Sequence, residues 1–183
     1  MSILAETQAS VIPTGTWSVD PAHSKVEFHI KHLGLATVTG RAPVVSGTIV
    51  GGSEPSLEGT VEVASITTFD ENRDAHLQSP EFFDTERYPQ LTFSSDSIAM
   101  DGDALSVDGE LTIKGVTKPV ELTGTFVGTG SDPWGNERIG IELETVVDRR
   151  EWNLDWNAPL PGGGFLLPDD VKLTATFSAV KAA

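Results

Sequence analysis

The sequence predicts an all-β domain closed into an antiparallel barrel, and three observations carry that expectation. Apolar and polar residues alternate with period two in four clear segments, the signature of strands with one wet and one buried face. Most connections between such segments are short and rich in turn formers. Only two long stretches, residues 67–90 and 151–169, lack the strand rhythm.

Residues 1–13 show no periodicity and read as a weakly ordered tail, so the domain proper is 14–183. A first strand is expected at 16–20. Residues 24–31 set Val26, Phe28 and Ile30 against Lys25, Glu27, His29 and Lys31. Residues 37–50 read as one strand with a bulge or bend at Pro43, which lacks the N–H a ladder needs. Further strands are expected at 57–66, 91–100 and 120–127. Residues 105–113 oppose Leu105, Val107, Leu111 and Ile113 to Ser106, Asp108, Glu110 and Thr112. Residues 139–147 set Ile139, Ile141 and Leu143 against Glu142 and Glu144, and residues 171–179 set Val171, Leu173 and Phe177 against Lys172, Thr174 and Thr176. A meander of eight to ten such strands buries its apolar faces and loses its edges most simply as an up-and-down barrel. Phe28, Ile30, Phe93, Leu111, Ile113, Phe126 and Ile141 are then expected inside, largely buried.

Long loops in compact domains are usually functional. The first of the two is expected to hold short helical turns. Asn72 is placed to cap Arg73-Asp74-Ala75-His76-Leu77, and Ser79-Pro80 to start a turn through Glu81-Phe82-Phe83. The second carries Trp152, Trp156 and Gly162-Gly163-Gly164, the last read as a tight or mobile loop. The first loop is expected over one end of an elongated cavity.

With 27 acidic against 12 basic residues the formal net charge is −15, which disfavours nucleic acid and anionic lipid surfaces. Any membrane contact has to be brief or driven by apolar surface, and no run of some 18 apolar residues is present for stable insertion. The absence of cysteine excludes disulfides, thiolate metal sites and a cysteine nucleophile. No basic-then-apolar leader opens the sequence, so a cytoplasmic location is expected.

Motifs for a nucleophile elbow, a phosphate-binding loop or a two-histidine metal site are absent. His29 and His32 fall on opposite faces of a strand, and His23 and His76 are distant in sequence, so no metal site is expected. Arg73, Asp74 and His76 form the densest polar cluster near a long loop. They are read first as ties that hold the loop, at most touching a polar head group, and second as an acid–base pair. Phe69, Phe82, Phe83, Trp152 and Trp156 need burial at a barrel end, where they plug it, rim a cavity, or both.

Four segments resemble the YceI-like family. They are Trp17-Ser18-Val19-Asp20-Pro21-Ala22-His23-Ser24 with Val26 and Phe28; Asn72 through His76-Leu77, Ser79-Pro80 and Phe82-Phe83-Asp84 to Tyr88-Pro89 and Leu91-Thr92-Phe93; Gly109 with Leu111-Thr112-Ile113-Lys114-Gly115-Val116-Thr117-Lys118; and Asp148-Arg149 to Trp152. Together they span nearly the whole chain in order. The resemblance implies an extended lipocalin-like barrel that binds a polyisoprenoid or similar long-chain lipid, with no established catalysis. Two departures stand out. Many relatives carry an export signal that this sequence does not show, and Ala42 follows Gly40-Arg41 where relatives commonly have an aromatic.

The expected function is binding, storage or transport of a long-chain apolar lipid such as a polyisoprenoid or isoprenoid quinone. Its alternative is an enzyme of isoprenoid or fatty-acyl chemistry using Arg73, Asp74 and His76. The lining is expected from Trp17, Phe28, Ile30, Phe93, Leu111, Ile113, Phe126 and Ile141 on the strands. Phe69, Leu77, Phe82, Phe83, Trp152 and Trp156 are expected to line it from the loops, with Arg73, Asp74 and His76 at a polar mouth. No cofactor or metal is expected. The expected partners are the lipid and, as a homodimer, a second copy of the chain.

Overall fold

The computed structural model describes residues 11–43 and 45–183. Among these residues ten strands follow one another: β1 (Gly15–Val19), β2 (Lys25–His32), β3 (Ala36–Ala42), β4 (Val45–Gly51), β5 (Ser56–Glu62), β6 (Gln90–Asp101), β7 (Ala104–Ile113), β8 (Val116–Ser131), β9 (Glu137–Asp148) and β10 (Asp170–Lys181). Among the described residues there is one α-helix, α1 (Glu71–Gln78), between β5 and β6. Neighbours in the sheet run β1-β4-β5-β6-β7-β8-β9-β10-β2-β3, and β1 also pairs with β10, which closes the ring.

The ten strands make eight staves. β1 and β2 lie end to end along β10, with Trp17 opposite Lys181 and Phe28 opposite Leu173. A 3₁₀ turn, Pro21–His23, separates them, and the Asp20 carboxylate caps it by accepting from the Ala22 N–H. β3 and β4 form the next stave in the same way, β3 against β2 and β4 against β1. The single strand expected at 37–50 is therefore two. Pro43 breaks the ladder rather than bending it, because a residue without an N–H has no donor to give the ladder. The strand expected to reach Ile66 stops at Glu62, where Val63–Ser65 tighten into a 3₁₀ turn. The turn after β7 is Lys114-Gly115, both with positive φ, as a two-residue hairpin of this twist requires.

The first residues described are not loose. Ile12 is buried in the core, its carbonyl accepts from the Gly52 N–H, and the Pro13 carbonyl accepts from Trp17 Nε1. The tail expected to run through Pro13 is thus packed at its end; residues 1–10 lie outside the described residues.

The barrel interior has a packed half and a hollow half. Trp17, Ile49, Val107, Ile139, Ile141, Leu143 and Phe177 fill the first. Leu111, Ile113, Trp152 and Leu154 form a second cluster beside the hollow. Among the described residues, β3 pairs with the chain beyond β5 through an isolated bridge between Arg41 and Thr67, which exchange two backbone hydrogen bonds of 2.9 Å. The wall is open there, and the excursion from Val63 to Pro89 that carries α1 meets this opening.

At the packed end Arg138 donates to Asp20 at 2.9 Å and to Asp132 at 3.0 Å. Arg138, then His23, holds the Asp20 carboxyl down to about 2, and Asn136 chiefly holds Asp132 to about 2. Carboxyls depressed in the folded state contribute stability above the ordinary carboxylate range and lose it as pH falls through the folded value. The urea midpoint is expected to be flat from about pH 7 to 5 and to fall between about pH 4 and 2. Arg138→Met is expected to shrink that fall; an unchanged acid limb would exclude this cluster as its source.

Candidate functional site: an apolar cavity under two long loops

The hollow half encloses a cavity of about 500 Å³. β2 contributes Val26, Phe28 and Ile30, β3 contributes Val38 and Ala42, and β10 contributes Val171 and Leu173. Leu91, Ile113 and Val147 come from β6, β7 and β9. Phe28 lies across Gly40, where a Cβ would stand 2.0 Å from the ring, so the missing side chain is what seats this aromatic.

The helix over the cavity starts two residues earlier than expected. Asp70, not Asn72, is the N-cap: its carboxylate accepts from the Arg73 N–H at 2.9 Å. Asn72 lies within α1 and faces the cavity. Ser79 ends the helix instead of starting another, its N–H and hydroxyl both donating to the His76 carbonyl. Residues 80–83 form a turn.

Arg73 and Asp74 anchor α1 to the segment that bridges to β3. Asp74 accepts from Thr67 Oγ1, Thr68 N–H and Thr68 Oγ1 at 2.6 to 2.8 Å. Arg73 donates to the Thr68 carbonyl and hydroxyl. Burial works against the Asp74 carboxylate, but the Thr68 and Thr67 donors and the Arg73 charge together hold its pKa below the usual value. His76 bonds Glu81 at 2.6 Å and sets its ring edge-on to Phe82 (4.9 Å between centroids) and Trp156 (4.7 Å). These three rings join the two long loops above the cavity.

The second loop is held by one buried cation. Arg149 is 4% exposed and donates to the carbonyls of Pro168, Leu154 and Trp156. Burial lowers its pKa, and the nearby Asp169, Asp155 and Asp148 charges counter this. Trp152, fully buried, donates from Nε1 to the Leu111 carbonyl at 3.1 Å. Trp152→Phe keeps part of the packing and removes that hydrogen bond, leaving the Leu111 carbonyl its place in the β7 ladder. It is expected to cost about 1–3 kcal/mol in urea unfolding; no loss would mean the bond contributes nothing.

Of the expected lining residues, Phe28, Ile30, Leu77, Phe82, Phe83, Ile113, Trp152 and Trp156 border the cavity, with Arg73 and His76 at its rim. The others do not. Trp17 is in the packed half, beside a separate small recess shared with Lys181. Leu111 is covered by the second cluster, Ile141 is core, and Phe126 packs on the core. Phe93 lies over Gly109, where a Cβ would be 2.5 Å from its ring. Asp74 is turned to Thr67 and Thr68. Phe69 is 81% exposed. Of the seven strand residues expected inside, Leu111, Ile113 and Ile141 are fully buried; Phe28, Ile30, Phe93 and Phe126 are partly so, and none is exposed. Arg149, Glu27, His32, Leu154, Leu166 and Leu167 border the cavity and were not anticipated.

Chemically the site offers aliphatic and aromatic walls, with polar groups gathered toward the loops. Among the described residues no group of three or more His, Asp or Glu side chains is placed to hold a metal ion. The His76 imidazole bonds a carboxylate and two ring edges, not a hydroxyl nucleophile.

Comparison with known proteins agrees with this architecture. The chain is 38% identical to Protein YceI of Escherichia coli O157:H7 over 136 residues, covering 72% of this chain and 71% of that one. It superposes on the Campylobacter jejuni YCEI protein with a TM-score of 0.70 at 28% identity, over 84% of this chain and 90% of that chain. A polyisoprenoid binding domain from Saccharophagus degradans shares the fold at 16% identity, with a TM-score of 0.68 over 91% of this chain and 98% of that domain. The family model for the YceI-like domain matches residues 17–179, and the chain belongs to the YceI-like family.

Proposed function

We propose that this barrel binds a long-chain apolar lipid of polyisoprenoid or isoprenoid-quinone type, to store it or carry it between apolar environments. The observation that supports this most is the cavity of about 500 Å³ with its predominantly apolar wall, a size typical of small-molecule sites. The Saccharophagus degradans domain of the same fold, described as binding polyisoprenoid, favours that ligand class. Each five-carbon isoprene unit buried contributes about 4 kcal/mol gross, at roughly 0.8 kcal/mol per carbon, before ordering costs. A bilayer offers the same chain a similar environment, so net transfer is small, which suits a carrier or buffer.

The positions of Arg73, Asp74 and His76 favour anchoring over chemistry. Supplying the protein with an isoprenoid quinone and analysing the recovered lipid tests both readings. Binding with the lipid chemically unchanged, in wild type and in His76→Ala alike, is expected. A new product formed by wild type and lost in a folded His76→Ala variant would replace the carrier by an enzyme. The His76–Glu81 pair is exposed enough that its loss is expected to cost only about 1 kcal/mol, most of it from the two ring contacts.

A further inference from the structure

We propose that the loop tips around the cavity mouth dock on a neutral phospholipid surface, with Leu33, Leu35, Phe69 and Phe165 entering it. This goes beyond the ligand reading and does not depend on which lipid fills the cavity.

These four side chains are 44%, 83%, 81% and 65% exposed. Each sits beside the mouth. Leu33 follows the lining residue His32, Phe165 precedes the lining residue Leu166, and Phe69 stands between the lining residues Thr68 and Asp70. The Leu33 N–H donates to the Leu166 carbonyl at 3.1 Å, joining two of the tips, and Leu35 belongs to the same tight turn as Leu33, bonded back to His32. Exposed apolar side chains therefore flank the mouth on three loop segments, as at a surface built to meet something apolar.

Two further observations point the same way. Leu33 and Phe69 have φ of 56° and 63°, a left-handed backbone that favours Gly or Asn. Large apolar residues at such positions, turned to solvent, serve neither the turn nor the core, and strain kept without a folding benefit marks function. Charge is also absent where it would interfere. In a chain of net charge −15, residues 33–40, 63–69 and 156–168 contain no Asp, Glu, Lys or Arg. The acidic residues nearest Phe69 are Asp70, whose carboxylate is engaged as the helix cap, and Glu71. The body of the protein is repelled by anionic lipid, while the three loop tips that carry these side chains hold no charged residue of their own, which matches a zwitterionic surface.

Co-sedimentation with phosphatidylcholine vesicles tests this. The combined variant Leu33→Asn, Leu35→Ser, Phe69→Asn, Phe165→Ser suits the backbone, since Asn tolerates the left-handed region. Trp134→Ser removes an equally exposed aromatic from the β8–β9 tip and serves as control. Wild type and Trp134→Ser are expected to bind these vesicles with little salt dependence, and the combined variant to bind at least tenfold less. Wild type left in the supernatant, equal binding by the combined variant, or binding that requires charged lipid would overturn the proposal. So would a halved mass of the combined variant in sedimentation velocity with vesicle binding unchanged, which would make the rim an interface between two copies. Lipid extracted from the combined variant is expected to match wild type. Vesicle binding by a protein whose extract holds no lipid would leave docking standing and remove the ligand reading instead.

Discussion

Filling the hollow half is expected to empty it of lipid without unfolding the barrel. Val38 and Leu173 both border the cavity and are only partly buried; Leu173 also packs on the second cluster, but part of each side chain meets open volume. They come from β3 and β10, on either side of β2, so enlarging both intrudes on the volume from two staves. Val38→Trp with Leu173→Trp is expected to lower the lipid recovered per mole of protein at least tenfold. The reasoning is one of scale: displacing a single isoprene unit forfeits about 4 kcal/mol of gross burial, against 1.4 kcal/mol for each factor of ten. The same substitution at Leu111, which is fully covered, overpacks a filled cluster and is expected to cost about 1–3 kcal/mol of stability instead. Extracted lipid and thermal midpoint, measured together on both variants, separate the two. Undiminished lipid in the filled variant would place the ligand elsewhere.

Removing Arg149 is expected to have the largest effect on stability of any single change considered. Its guanidinium holds three carbonyls from a loop with little regular structure of its own, and it does so while almost wholly buried. Arg149→Met keeps much of the length and apolar stem but orphans all three acceptors. At roughly 1–3 kcal/mol for each buried group left unpaired, and allowing for water reaching some of them, a loss of about 3–5 kcal/mol is expected. In a chain of this size that is a fall of about 6–20 °C in thermal midpoint. Arg149→Lys is expected to recover little, because an ammonium cannot reproduce the planar fork that reaches separated carbonyls. Lipid retention should weaken with it, since Leu154, Trp156 and Leu166 line the cavity from the loop it pins. A shift under 2 °C would show that the loop is held by Asn157 and Trp152 alone.

The strands were legible in the sequence because period two reports directly on which face is buried. That same signal does not report height along the barrel. Trp17, Phe126 and Ile141 point inward as expected, yet they lie in the packed half and never reach the cavity. The split of 37–50 at Pro43 was half visible: the proline marked the place but not whether the strand bends or breaks. The sequence points to Asn72 as the cap where Asp70 serves, because both are good capping types and the helix, short and polar, gives no apolar stripe to fix its first residue.

Two errors have sharper causes. Phe69 was expected inside because loop aromatics usually find burial. The left-handed turn at that residue, invisible in composition, swings it out. Arg149 was overlooked as a site residue although the pattern pointed at it. Ile139, Ile141, Leu143 and Val147 alternate inward, and two residues further the same register places Arg149 on that face. A charged residue in register with a buried set signals a buried polar anchor, and its three carbonyl partners are what tertiary structure adds.

Native mass spectrometry of the freshly purified protein, followed by mass analysis of its organic extract, tests the central claim most directly. The account predicts one long-chain apolar lipid per barrel, retained under gentle ionisation and released when the protein unfolds, or taken up stoichiometrically when an isoprenoid quinone is supplied to stripped protein. A bare chain mass, an extract free of such lipid and no uptake from added quinone would contradict it.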